Sequence, residues 1–318
     1  MRGIYDYEPV QAGWKPEYEK HLLGVQASMW TEFCSTATDV TYMIFPRLAA
    51  LAEVAWSPKG TKDWEHFQMG LDNYLAHLEK KGVVYAKSMF NIQHTVMPEN
   101  GKLRVTLECE RTDVKIRYTL DGKEPDMYSP VYTESLSLEK GTTLRCASFR
   151  QDMRAGEILT LSLSGNKATG KPVLSENPRT ALLTNGVRGS LRQSDFEWCT
   201  WDNLSSATFT VDLQKVEPVQ KVVLGCLTNY GMAVHKPKYL KVEISEDNRC
   251  FTQVGQRDFS EEDIFRNGNY VEDVTFTFNK RKARYVRVTA KGFGVCPSYH
   301  YMRPGQPARY YFDEIQVE

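Results

Sequence analysis

The stretch Gly24-Val25-Gln26-Ala27-Ser28-Met29-Trp30-Thr31-Glu32, followed by Tyr42-Met43-Ile44-Phe45-Pro46-Arg47 and Leu51-Ala52-Glu53-Val54-Ala55-Trp56, organises the reading of this chain. Residues 24–30 are uncharged and read as a short strand whose far end carries an indole and then a carboxylate. That pairing suits a carbohydrate subsite. The face of Trp30 can stack on the C–H face of a pyranose, and Glu32 can accept hydrogen bonds from ring hydroxyls. A buried Trp beside a surface Glu explains the same letters, since an apolar interior is the usual place for Trp. The run that follows is helical, with Met43, Leu48, Leu51, Ala52 and Ala55 at three- and four-residue spacing and Ser57-Pro58-Lys59-Gly60 as its stop. Arg47 and Glu53 read as a helix-borne pair that serves packing rather than chemistry.

Working outward, a second helix is expected after Thr61, with Trp64, Phe67, Leu71, Tyr74, Leu75 and Leu78 on one face and Gly82 at its end. Beyond Phe90 the period changes. Leu103, Val105 and Leu107 alternate, as do Ile116, Tyr118 and Leu120, with turns at Asp121-Gly122 and Lys140-Gly141. Residues 164–172 are small and polar and read as a linker. A third region follows with candidate strands at 208–213, 221–224, 239–244, 274–278 and 285–288, whose spacing favours a sandwich or jelly roll. The expected units are therefore 1–88, 89–165 and 172–318.

Composition excludes several classes. Of 318 residues, 41% are hydrophobic and 25% charged, as in a globular protein. Forty basic residues balance forty acidic ones, so no global field favours nucleic acid or anionic lipid. There is no 18-residue apolar run, so no membrane span is expected, and the first residues lack a signal-peptide core. The seven cysteines show no CxxC or CxxH spacing, which argues against a zinc site and for reduced, buried thiols.

The run from Gly24 to Trp56 resembles the end of the catalytic barrel of glycoside hydrolase family 20, the β-N-acetylhexosaminidases. The family pattern is Gly-x-Gln-Ala-x-x-Trp-Thr-Glu, then Phe-Pro-Arg-x-x-Ala-x-Ala-Glu-x-x-Trp. The resemblance implies that Trp30 lines the pocket holding the N-acetylhexosamine and that Glu32 binds its distal hydroxyls. It also implies a substrate-assisted mechanism in which the acetamido oxygen attacks the anomeric carbon, an Asp orients that group and the adjacent Glu is acid and base, unlike the usual two-carboxylate scheme. Those two residues belong to an earlier barrel strand. With 29 residues ahead of Trp30, against about 250 for a whole barrel, the chain is expected to lack them and to be inactive by itself. Asp6-Tyr7-Glu8 reads as a solvated turn.

The segment Ile116-Arg117-Tyr118-Thr119-Leu120-Asp121-Gly122-Lys123-Glu124-Pro125, with Ser129-Pro130-Val131-Tyr132, resembles the small β-sandwich appended to bacterial hexosaminidases. The third region resembles discoidin-like, galactose-binding jelly rolls, on Leu183-Thr184-Asn185-Gly186, Val211-Asp212-Leu213, Tyr285-Val286-Arg287-Val288 and Phe312-Asp313-Glu314-Ile315. Many such modules hold a structural calcium, which needs six or more oxygen ligands. By resemblance, Asn185, Ser190 and Glu314 would supply oxygens here, although Asn185 and Val187 stand where acidic residues are usual. Trp198, Trp201, Tyr230, Tyr299 and Tyr301 fall in or beside loops, where they either pack the unit or form sugar platforms. His235 and His300 have no triad spacing and receive no role.

The expectation is thus an α+β multidomain chain. A (β/α)8-barrel remnant, comprising the last strand and helices, precedes a small immunoglobulin-like β-sandwich and a discoidin-like β jelly roll. No cofactor is required for catalysis, and the expected partners are glycans with terminal N-acetylhexosamine. Self-association through an exposed barrel remnant is a further expectation, because one strand and two helices expose an apolar face. The chain's own residues leave localisation open, while the family implies a periplasmic or extracellular parent. A carbohydrate-binding or adhesive protein acting through the last unit is the alternative.

Overall fold

A computed structural model describes residues 1–58, 60–202 and 206–318. Lys59, part of the expected helix stop, lies outside the described residues. Helices α1 (Ala37–Ile44), α2 (Arg47–Trp56) and α3 (Trp64–Lys80) form the first unit. Helix α1 starts with a capping box in which Thr36 and Asp39 satisfy each other's backbone N–H groups. Asp63 caps α3 by accepting from His66 N at 3.0 Å. Along α3, Phe67, Leu71, Leu75 and Leu78 are buried at helical spacing and meet Ala50, Tyr85, Met89 and Phe90 in one core.

The expected strand at 24–30 does not form. Among the described residues, the segment belongs to no helix or sheet. A strand's N–H and C=O groups need neighbouring strands, and nothing in the first unit offers one. The expected Arg47–Glu53 pair is also absent. Arg47 Nη1 donates to the Met43 carbonyl at 2.8 Å, and Glu53 accepts from Ser57 Oγ at 3.1 Å.

The second unit has two facing sheets. One is ordered β1 (Ile92–Glu99), β2 (Lys102–Cys109), β4 (Leu136–Leu138). The other is ordered β3 (Lys115–Thr119), β5 (Thr143–Arg150), β6 (Met153–Arg154), with β7 (Leu159–Ser162) also on β5. Leu103, Val105 and Leu107 point inward with Leu144, Cys146 and Leu161, and each fully buried aliphatic side chain contributes about 1.5–3 kcal/mol. The helical unit is tied to this one by a polar network. Arg111, 3% exposed, donates to Asp113 at 2.7 and 2.8 Å and to Asp72 of α3 at 3.0 Å, and Arg150 of β5 pairs with the same two carboxylates.

In the third unit the sheet order is β12 (Thr252–Asp258), β11 (Tyr239–Ser245), β13 (Asn269–Lys291), β10 (Ser206–Asn229), β14 (Arg309–Val317), β9 (Cys199–Asp202), with β8 (Val173–Leu174) also on β10. The long strands β10 and β13 pair antiparallel over their lengths, with irregularities between Asp212/Glu217 and Val219/Lys221. Such bulges bend strands. The first half of β10 pairs β8 and the second half β14, so the sheet divides into two arms that enclose a core containing Phe209, Val222, Leu240, Val288 and Phe312.

Residues 164–172 are not a loose linker. Ala168 and Thr169 are buried, Ser164 N donates to Gly186 O at 2.7 Å, and Gly170 N donates to Thr184 O at 2.8 Å. Val187 enters the core of the second unit, and Asn185 Nδ2 donates to Val96 O at 3.2 Å. The two β-units therefore share a packed junction. Among the described residues, no helix is long and apolar enough to cross a membrane.

Candidate functional site

Trp30 and Glu32 both lie on the surface. Trp30 is 73% exposed and is followed by a single 3-10 turn, Thr31–Phe33, that carries Glu32. The chain therefore presents an indole and a carboxylate outward, and Trp30 is not buried. The residues around them are also uncovered: Leu23 is 99% exposed and Trp56 91%. Between α2 and α3 runs an open cavity of about 600 Å³ lined by Leu48, Ala52, Trp56, Phe67 and Tyr74. Asp6 and Glu8 are spent locally, on Arg2 Nε at 2.9 Å and on Val10 N at 3.3 Å.

At the start of β14 the loop 292–308 meets the turn after β10 and the segment before β13. Here the expected loop aromatics separate into two kinds. Trp198 is fully buried and donates to Ser190 O at 3.1 Å, Trp201 stacks on Phe209 and Tyr310, and Tyr230 is 6% exposed. Those three pack the unit. Tyr299 and Tyr301 are 59% and 68% exposed. Tyr301 stacks on Tyr230 at 5.2 Å between ring centroids, and Tyr230 stacks on His300 at 3.9 Å, so the outer ring rests on a rigid pile. Tyr299 donates its hydroxyl to Glu261, which pushes its pKa up to about 12 and keeps it a neutral phenol.

His300, the inner ring of the pile, and its neighbour His235 are both fully buried, with their Nε2 atoms 3.2 Å apart. His235 Nδ1 is 3.0 Å from the Ile264 carbonyl, which can only accept, so that nitrogen carries the proton. The Arg303 backbone N–H donates to His300 Nδ1 at 3.0 Å, so His300 carries its proton on Nε2 and donates to His235. Burial first, then the neighbouring His300, lowers the His235 pKa to about 4. No spacing in the sequence pointed to this pair, because 65 residues separate its members.

The proposed calcium ligands do not form a cation cage. Glu314 is fully buried, but its oxygens accept from Ser164 Oγ at 2.9 Å, Asn166 Nδ2 at 3.2 Å, Thr169 Oγ1 at 3.4 Å and Gly186 N at 2.9 Å. Asn185 gives its amide to Glu197 at 2.7 Å and accepts from Val187 N at 2.9 Å. Ser190 is exposed and accepts from Arg192 N at 3.1 Å. Each spends its polar atoms on protein partners, and Glu314, the one carboxylate among the three, already accepts four hydrogen bonds, so the set does not offer the several free oxygens that a hard cation needs. The residues present do not fit calcium. The neighbouring Asp313-Glu314 pair is no catalytic dyad either, since Asp313 is buried against Arg188 Nε at 2.9 Å and Gly189 N at 3.0 Å.

Burial, reinforced by Asp313, pushes the Glu314 pKa up to about 8 against the pull of Ser164, Gly186 and Asn166. The folded chain then keeps a proton that the unfolded chain releases above about pH 4.5, so this group's contribution is full below that pH and fades as pH rises toward 8. Glu314→Gln does not titrate. Urea unfolding of both chains at several pH values should show the variant gaining on the wild type by at least about 1.4 kcal/mol, one pKa unit, between pH 5 and 8. Parallel profiles would disprove the shift.

The chain thus orders a helical segment with an exposed indole and carboxylate ahead of two β-rich units. Residues 1–59 match the sequence model "Glycosyl hydrolase family 20, catalytic domain", 98–160 match "Chitobiase/beta-hexosaminidase C-terminal domain" and 167–300 match "F5/8 type C domain". The chain thus carries a family 20 catalytic segment followed by a hexosaminidase C-terminal domain and a discoidin-like domain. It is 30% identical over 156 residues to a β-hexosaminidase of Porphyromonas gingivalis, covering 46% of this chain and 19% of that one. Against a β-N-acetylhexosaminidase of Cellulomonas fimi the identity is 42% over 69 residues, covering 21% and 13%. The chain therefore spans less than a fifth of the length of these relatives. A chitosan-binding module of a Paenibacillus chitosanase/glucanase aligns over 48% of this chain and 98% of its own, at 18% identity and a TM-score of 0.30.

Proposed function

We propose that the chain is the C-terminal portion of a β-N-acetylhexosaminidase that removes terminal N-acetylhexosamine from glycans by substrate-assisted retaining hydrolysis. The observation that carries this reading is the family 20 segment at residues 1–59, in which Trp30 and Glu32 are both open to solvent. In that role Trp30 stacks on the sugar ring and Glu32 accepts hydrogen bonds from its hydroxyls, while the acetamido-orienting Asp and the acid/base Glu come from residues outside these 318. Residues 1–88 then form the closing part of a (β/α)8 barrel. The unpaired segment 24–30 and the exposed Leu23 and Trp56 support that reading, since a barrel strand and its helices are covered by their neighbours. Further barrel elements or a second copy of the chain would cover this face, and light scattering separates the two. The second unit is then an immunoglobulin-like sandwich and the third a jelly roll.

The chain by itself is expected not to hydrolyse an aryl N-acetylglucosaminide. Turnover that disappears in Glu32→Ala would overturn the proposal.

One observation favours a second reading, in which the last unit binds carbohydrate directly. Tyr301 and Tyr299 are exposed on a backed, rigid surface, the arrangement a sugar platform needs. A glycan array on the intact chain tests it: specific binding lost in Tyr301→Ala supports this role, and silence assigns the unit to scaffolding.

A further inference from the structure

We infer that His235, Cys296 and His300 form a transition-metal site of the zinc class, coupled to the loop that presents Tyr301 and Arg303. Their ligand atoms, two imidazole nitrogens and one sulfur, lie within 4.8 Å of one another, and all three side chains are buried. The two Nε2 atoms are 3.2 Å apart. Two zinc–nitrogen bonds of about 2.0–2.1 Å at a tetrahedral angle span roughly that separation. The donor set is imidazole and thiol with no carboxylate, which selects zinc-like or softer ions over calcium and magnesium. The site is also braced from outside. The Ile264 carbonyl holds His235 Nδ1–H, as outer partners of metal-bound imidazoles commonly do, and Phe265 and Phe293 stand edge-on to that ring at 5.1 and 6.0 Å. Cys296 is fixed by main-chain bonds from its N–H to Gln306 O at 2.9 Å and from Gly305 N to its carbonyl at 3.0 Å. The Glu261 carboxylate is engaged by Tyr299.

The proton positions give the site a consequence. Without metal, His300 donates Nε2–H to His235, and His300 Nδ1 accepts from the Arg303 backbone. A metal on both Nε2 atoms needs the His300 proton to move to Nδ1, where it faces the Arg303 N–H and ends that hydrogen bond. Cys296 gives up its thiol proton to coordinate as thiolate. One proton leaves per metal bound, and the turn from His300 to Arg303 reorganises. Filling the site therefore alters the surface that carries Tyr301 and Arg303. This inference does not depend on the chain being part of a hexosaminidase.

The test uses the intact chain with zinc and cobalt(II). One equivalent of metal should bind, cobalt should give a thiolate-to-metal charge-transfer band in the near ultraviolet, and zinc should release one proton per chain in weakly buffered indicator. Cys296→Ser, a near-isosteric change, should abolish the band and weaken affinity by more than about tenfold, the loss expected even for an outer partner. Cys250→Ser, which removes an exposed thiol, should change neither. A wild-type chain that is folded by circular dichroism yet takes up no metal and releases no proton would sink the inference. So would a cobalt band that survives Cys296→Ser or follows Cys250.

Discussion

Arg111→Met is expected to lower stability by about 3 kcal/mol and to split one unfolding transition into two. The guanidinium is buried over the Phe90 ring, with its centroid 5.3 Å away, and bridges Asp113 to Asp72 across the boundary between helices and sandwich. Breaking a buried ion pair costs about 3–5 kcal/mol, mostly by stranding the partner charge. The low end applies because Asp72 and Asp113 are partly exposed and keep Arg150. The same network sets a pH dependence. The Arg111 hydrogen bond, foremost against opposing burial, holds the Asp113 carboxyl below the usual carboxylate range. Its contribution is present above the unfolded pKa of about 4 and is lost as pH falls through the lower folded value. Denaturant titrations at pH 7 and at acid pH should show the variant and wild type converging in acid. A loss under about 1 kcal/mol at pH 7 would mean that apolar packing alone joins the units.

Gly225→Ala should cost about as much, by a different route. Gly225 lies in β10 where pairing with β14 is irregular between Leu224 and Cys226. A Cβ there would overlap the Asp313 carboxylate and stand 2.7 Å from Arg188 Nη2. Asp313 is fully buried and its guanidinium partner is half-buried, so the methyl forces an ion pair apart inside the protein. Overpacking of 1–3 kcal/mol adds to a partly broken pair, giving about 3–5 kcal/mol. Gly70→Ala provides the opposite control. It sits inside α3 with nothing within 4 Å of its would-be Cβ, and should stabilise by about 0.5–1 kcal/mol. Equal effects from the two substitutions would show that helix and strand propensity, not the Asp313 cavity, governs both.

Legibility followed the range of the interactions. Helix α3 was readable because Phe67, Leu71, Leu75 and Leu78 recur within one segment, and β2 because Leu103, Val105 and Leu107 alternate with exposed Lys102 and Arg104. Residues 24–30 carry the letters of a strand yet join no sheet among the described residues, because a strand's hydrogen bonds require neighbours. Residues 164–172 looked like a linker because nothing local reveals that Glu314, about 150 residues later, collects Ser164, Asn166 and Thr169. The aromatic loops divided only in three dimensions. Trp198 and Tyr299 carry similar local signals, yet one is fully buried and the other 59% exposed.

By itself the sequence determined the order of the three units, the helical and strand periods and the Trp30–Glu32 signature, since all of these are written in residues close together along the chain. Tertiary structure alone decided that Trp30 faces solvent, that Glu314 meets donors and no cation cage, and that His235, Cys296 and His300 converge. The physical reason is that burial, proton placement and ligand geometry depend on groups tens to hundreds of residues apart, and only the folded backbone brings these within bonding distance.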